Sequence, residues 1–270
     1  MWPRVKSDPI DLFDLRVSDL LVQDPHYVRL SMAAYQELGE DFFIGLLRAP
    51  DVAGYFREVC PRRADWIREG IEQVRPQLPE RIREAEAKVL AASCPWNLGM
   101  AKSPETWDAL PWSCWDPSAI YDRVDLQGKV ALDVGAGTGQ VTIRCAPYAK
   151  LVWALEPVAR LRRYIERKTG AFGLMNVRTL SGVLEDVPLP DSSVDAAILS
   201  NGSFGWSPDR ELRELERVTK PGGIILMLGP CNFGDEEILS AIRGAGGYEP
   251  FDFEVPGDGM KPGFIKRLGL

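Results

Sequence analysis

The 270-residue sequence predicts an α/β protein, in which a doubly wound, mostly parallel seven-stranded sheet follows an N-terminal helical extension. Three observations lead to this reading. From residue 128 onward, short apolar runs alternate with helix-like segments, the pattern of strands buried on both faces by crossover helices. Residues 9–100 show helical spacing and too little alternation for strands. Between these parts lies a stretch rich in tryptophan and proline. The boundary is expected near residue 110, with 1–110 as the helical extension and 111–270 as the sheet domain.

The elements follow in chain order. Phe42, Phe43, Ile44, Leu46 and Leu47 form an early apolar cluster. A helix is predicted from Asp65 to Val74, with Ile67, Ile71 and Val74 on one face. A second begins at Pro79, a favoured first-turn residue, aligns Ile82, Ala85, Val89 and Ala92, and ends at Pro95. Strands are expected at 130–134, 151–155, 177–180, 196–199 and 224–229, with helices at 158–168 and 210–219 between them. Two further strands are expected near 248–255 and 263–268.

Bulk composition narrows the function classes. With 45% hydrophobic and 26% charged residues, the chain reads as an ordinary soluble globular protein. No run of about 18 apolar residues predicts a membrane span. The opening residues are basic, but no apolar stretch follows, so no secretory signal is expected. A formal charge of −7 provides no general field for nucleic acid, making it an unlikely partner. The five cysteines contain no C-x-x-C pair. That argues against a zinc ribbon or an iron–sulfur centre and predicts reduced thiols in a cytoplasm, with no metal.

The most specific signal is Val130-Ala-Leu-Asp-Val-Gly-Ala-Gly-Thr-Gly139, an apolar strand stopping at a glycine turn before a helix. Glycines let backbone N–H groups approach a nucleotide-like ligand without Cβ clashes. A dinucleotide fingerprint would place its third glycine where Gln140 stands. Glu156, 17 residues after Gly139, ends the second strand beside Pro157, where a carboxylate can accept ribose hydroxyl protons.

The G-x-G-x-G spacing after Asp133 resembles motif I of the class I S-adenosylmethionine (SAM) methyltransferases. Gly182-Val-Leu-Glu-Asp-Val-Pro-Leu-Pro-Asp-Ser-Ser-Val-Asp195 resembles the family's third-strand segment, and Asp195–Gly202 its strand-four motif. Glu214–Leu228 resembles its helix, L-K-P-G-G turn and strand five. The four blocks cover about residues 128–230. The resemblance implies SAM as cofactor, held by Asp133, Gly135, Ala136, Gly137, Gly139, Glu156 and Pro157. It further implies that Val183, Leu184 and Glu185 border the adenine and that Ser200 and Asn201 face the methyl-donor pocket. Val183 stands where the family usually has an aspartate, which removes one acceptor for the adenine amino group; Glu185 or Asp186 could replace it. Pro221, Gly222 and Gly223 are expected to form the turn before strand five.

The resemblance implies a methyltransferase that works by in-line attack of an acceptor atom on the sulfonium methyl. The family acts on small molecules, lipids, proteins and nucleic acids, and the primary reading here is a cytoplasmic enzyme for a small-molecule substrate. The helical extension and tryptophan-rich segment would form its lid. Trp112, Trp115, Tyr121, Phe204 and Trp206 are the candidate substrate-contacting residues, since aromatic faces suit a flat substrate or a sulfonium. The sole histidine, His26, lies far upstream of these motifs, and no general base is assigned. The alternatives are a macromolecule methyltransferase acting on RNA or protein, and a non-catalytic SAM-binding scaffold.

Overall fold

The structure, a computed structural model, describes residues 8–74, 79–110, 116–200, 207–229, 236–255 and 259–269. Its described residues divide into two compact units, one ending at Thr106 and the other beginning at Trp107.

The first unit is helical. Its helices are α1 (Pro9–Leu12), α2 (Pro25–Glu37), α3 (Glu40–Gly45), α4 (Pro50–Val59), α5 (Ala64–Gln73), α6 (Pro79–Ala91) and α7 (Pro95–Lys102), with 3₁₀ turns at Val17–Val22 and Pro61–Arg63; α8 (Pro104–Asp108) crosses the boundary, its Trp107 and Asp108 belonging to the second unit. Prolines begin α4, α6 and α7 because their missing N–H has no helical partner in a first turn. Pro95, expected to end a helix, instead starts α7 after Cys94 reverses the chain at φ +55°. The unit's core holds an aromatic stack in which Phe42 lies 5.1 Å from Tyr35 and 5.2 Å from Trp66, centroid to centroid. Ile67 of α5 and Ile82, Ala85 and Val89 of α6 are buried, as their helical spacing requires.

The second unit is a seven-stranded sheet with helices. After α9 (Ser118–Tyr121) come β1 (Val130–Val134), α10 (Gln140–Cys145), β2 (Leu151–Leu155), α11 (Ala159–Ala171), β3 (Val177–Leu180) and β4 (Val194–Ser200). They are followed by α12 (Pro208–Val218), β5 (Thr219–Leu228), α13 (Glu236–Ala245), β6 (Glu249–Val255) and β7 (Gly259–Arg267). The strand order is β3-β2-β1-β4-β5-β7-β6. Strands β1 to β5 are parallel, whereas β7 runs antiparallel to both β5 and β6, so the sheet is mixed. Alternate residues feed two cores: Ala196 and Ile198 of β4 belong to one and Ala197 and Leu199 to the other.

Strands β1, β2 and β3 occupy their expected spans, and β4 is longer. The Pro221-Gly-Gly223 segment is not a free turn. Val194 pairs with Thr219 and Ala196 with Ile224, so the segment bulges within β5, with Gly222 at φ +76°. The chain leaves β1 toward β2 on one side and returns to β4 on the other. This reversal opens a crevice at the carboxyl ends of β1 and β4, where ligands of open α/β sheets bind. No helix among the described residues is long and apolar enough to cross a membrane.

Candidate functional site

The turn between β1 and α10 is built by Gly135, Gly137 and Gly139 at φ +65°, +54° and +80°, a region that strains residues with a Cβ. The Ala136 N–H donates to the Leu155 carbonyl at 2.9 Å, and the Gly139 N–H to the Ala136 carbonyl at 2.7 Å. A Cβ on Gly139 would lie 3.1 Å from Ile165 Cγ1 of α11, so this glycine also permits close helix packing. Among the described residues, a Cβ on Gly135 would meet nothing within 4 Å, which leaves open space beside the turn.

Asp133, on β1, is 2% exposed, and its Oδ2 accepts both the Thr142 N–H at 2.9 Å and the Thr142 hydroxyl at 2.5 Å. Thr142 lies in the first turn of α10, so Asp133 caps that helix from beneath. Its side chain thus holds the turn from within the fold. Burial pushes its pKa up to about 6, against the opposing pull of the Thr142 bonds.

Glu156 follows β2 and is 3% exposed. Its Oε2 accepts the Gly137 N–H at 2.9 Å and its Oε1 the Val158 N–H at 2.8 Å. Burial pushes the carboxyl up to about 7; the two backbone bonds oppose this, and nearby Asp133 adds to it. A carboxylate oxygen has more than one lone pair, so acceptor capacity remains for two vicinal hydroxyls. The Glu156 and Pro157 carbonyls both accept from Arg162, at 2.7 and 2.6 Å, which orders the start of α11.

The third-strand loop places Val183 in a single antiparallel bridge with Asp186. Leu184 is buried within one of the two sheet cores, Glu185 is half-buried and Asp186 is exposed. Ser200 ends β4, half-buried. Trp112, Trp115, Asn201, Phe204 and Trp206 lie outside the described residues, as does the His26 side chain.

Tyr121 is not at this site. Its hydroxyl donates to the Arg144 carbonyl at 2.8 Å, and its ring meets Tyr148 edge-on at 5.0 Å. The Tyr148 carbonyl in turn accepts the Gly128 N–H, just ahead of β1. Tyr121 thus packs near the amino end of the strand whose carboxyl end carries the glycine turn. Sequence reasoning missed Asp108, which reaches the turn through Gln140 and Lys168. No local signal marks it, because it lies 32 residues before Gln140 in the chain.

Comparison with known proteins agrees with this geometry. Residues 132–227 match the methyltransferase domain family model. The chain is 39% identical over 129 residues to a demethylmenaquinone methyltransferase of Geobacillus stearothermophilus, covering 44% of this chain and 54% of that one. It is 40% identical over 101 residues to a malonyl-[acyl-carrier protein] O-methyltransferase of Yersinia pestis, covering 37% and 36%. The chain thus spans about half, or less, of the length of these relatives. A structure from Methanococcus maripaludis, assigned as a SAM-dependent methyltransferase, superimposes with a TM-score of 0.51 at 16% identity, covering 64% of this chain and 92% of that one, and shares the fold. The open space at Gly135 and the free acceptor capacity of Glu156 suit a nucleoside there. Residues 132–227 are thus similar to the methyltransferase domain of SAM-dependent methyltransferases, a family whose cofactor is S-adenosylmethionine.

Proposed function

We propose that this chain is a cytoplasmic enzyme that transfers the methyl group of S-adenosylmethionine to a small-molecule acceptor. The observation carrying this reading is the pairing of Glu156 with the glycine turn, a buried carboxylate bonded to Gly137 beside the exposed Gly135 at the sheet's switch point. When bound, the cofactor supplies an activated sulfonium methyl whose departure leaves a neutral thioether. The chain's own residues then have to bind, orient and exclude water, which suffices for an already activated donor. Glu156 would accept the ribose hydroxyls, and the turn would present its backbone to the rest of the nucleoside. Leu184 and Glu185 would border the adenine, and Ser200 the methyl-donor side. No residue is assigned as general base.

The small-molecule class is supported by relatives whose names specify a quinone precursor and a malonyl thioester carrier. The charge of −7 weighs against an RNA substrate. The helical unit lies outside residues 132–227, the stretch matched to the family model, so it is the proposed source of acceptor selectivity. A second reading, a non-catalytic SAM-binding scaffold, draws on Val183, which offers the adenine no side-chain acceptor.

Calorimetric titration with SAM, S-adenosylhomocysteine and NADH tests the cofactor. Binding of the first two but not NADH, lost in Gly137→Arg, supports the proposal; a folded protein that binds neither overturns it. Release of S-adenosylhomocysteine with a panel of small acceptors then separates an enzyme from a scaffold.

A further inference from the structure

Asp108 lies at the end of α8, and the hydrogen bonds to its carboxylate come from residues around the cofactor turn and on α11. Its Oδ1 accepts from Gln140 Nε2 at 2.6 Å, while its Oδ2 accepts from the Tyr164 hydroxyl at 2.8 Å and from Lys168 Nζ at 2.6 Å. Lys168 makes a second bond, to the carbonyl of Thr138 at 3.1 Å, and Thr138 sits between Gly137 and Gly139. The other end of the Gln140 amide is also engaged, its Oε1 accepting from Arg144 at 2.6 Å. Burial alone would raise the Asp108 carboxyl, but the hydrogen bonds from Lys168, Thr138, Tyr164 and Gln140 together hold it below its ordinary value.

We propose that Asp108 is a positioning residue for the cofactor turn, clamping Thr138–Gln140 to α11; the inference rests on the cofactor reading above. A turn with three positive-φ glycines loses much conformational entropy on ordering, so its geometry needs external ties. Asp133 ties it from below through Thr142, and Glu156 ties it from the side through Gly137. Asp108 supplies a third tie and joins it to α11, the helix that starts three residues after Glu156. The Asp108–Lys168 ion pair is mostly withdrawn from water, at 17% and 13% side-chain exposure respectively, where charged hydrogen bonds are strong and well oriented. Gln140 gains a role here too: a glycine at that position, as in a dinucleotide fingerprint, could not reach Asp108.

The test uses the intact chain with Asp108→Ala, Asp108→Asn, Lys168→Met and the Asp108→Ala/Lys168→Met double variant. Two quantities are measured: SAM and S-adenosylhomocysteine affinity by calorimetry, and amide hydrogen exchange in the ligand-free protein. The expected result is affinity weakened about tenfold in each single variant and no further in the double, the signature of a coupled pair. Exchange at the amides of 139–143 should quicken about tenfold, while the β6 and β7 amides stay unchanged. Affinity within about twofold of the parent alongside a lowered melting temperature would make Asp108 merely structural and overturn the proposal. Unchanged exchange at the turn would overturn it as well. A parent that binds no SAM sinks the functional reading, yet the exchange measurement still decides the clamp. Should Asp108→Ala fail to fold, the near-isosteric Asp108→Asn carries both measurements.

Discussion

The carboxylate of Glu156 accepts the backbone N–H of Gly137 at 2.9 Å, so the acid ending β2 and the turn ending β1 form one unit before any ligand arrives. In Glu156→Gln the amide NH₂ would face either the Gly137 or the Val158 N–H, donor against donor, whichever way it is turned. The expected cost is about 1–3 kcal/mol of stability, read by chemical denaturation. SAM affinity should also fall by at least about tenfold, equivalent to about 1.4 kcal/mol.

Glu156 and Asp133 also predict a pH dependence with a definite sign. Their carboxyls rise from 4.5 and 3.8 to about 7 and about 6 in the folded chain. Between these limits the folded state holds more protons than the unfolded one, so their contribution to stability falls as pH rises and levels off above about 7. The stability difference between parent and Glu156→Gln should therefore favour the parent more at pH 5 than at pH 8. SAM affinity should move the other way, rising from pH 6 to 8 with proton release, because the ionised carboxylate is the better double acceptor. An affinity independent of buffer pH would contradict this.

The two outer glycines should separate strain from ligand space. Gly139→Ala incurs both the positive φ and a contact of 3.1 Å with Ile165, with an expected loss of about 2 kcal/mol. Gly135→Ala has only the strain to bear in the free protein, about 1 kcal/mol, because nothing stands within 4 Å of its Cβ. Its larger effect should be on SAM affinity. Melting curves with and without ligand make the comparison.

Asp133→Ala would leave the N–H and hydroxyl of Thr142, itself wholly buried, without their acceptor. A loss of about 2–4 kcal/mol is expected for two orphaned donors, seen as a lower denaturation midpoint even without cofactor. A loss confined to SAM binding would instead restore Asp133 as a direct ligand.

Tyr121→Phe tests whether Tyr121 acts on the cofactor or only on packing near the amino end of β1. It removes one hydrogen bond to the Arg144 carbonyl and should cost about 0.5–1.5 kcal/mol. SAM affinity should remain within about twofold of the parent, a margin of a few tenths of a kcal/mol. A tenfold loss would return Tyr121 to the site.

Much of the fold was legible in the chain because its signals are local. The apolar runs of β1, β2 and β3 end where turn residues interrupt them, and the spans read from sequence coincide with those observed. The glycine spacing and the acid after β2 also stand out, since a tight turn and a strand end impose their residue types nearby in sequence. The bulge at Pro221–Gly223 was less legible, because a Pro-Gly-Gly run reads as a turn until its pairing with β4 is known.

By itself, then, the sequence determined the periodicity, the glycine turn and the resemblance of the domain to SAM-dependent methyltransferases, each a property of neighbouring residues. Tertiary structure alone decided that β7 enters between β5 and β6, that Asp133 faces Thr142 inside the fold, that Tyr121 packs at the opposite end of β1, and that Asp108 reaches a turn some 30 residues downstream. Those facts depend on which elements the crossovers bring side by side. A side chain's partner is fixed by that three-dimensional adjacency, which no local spacing encodes.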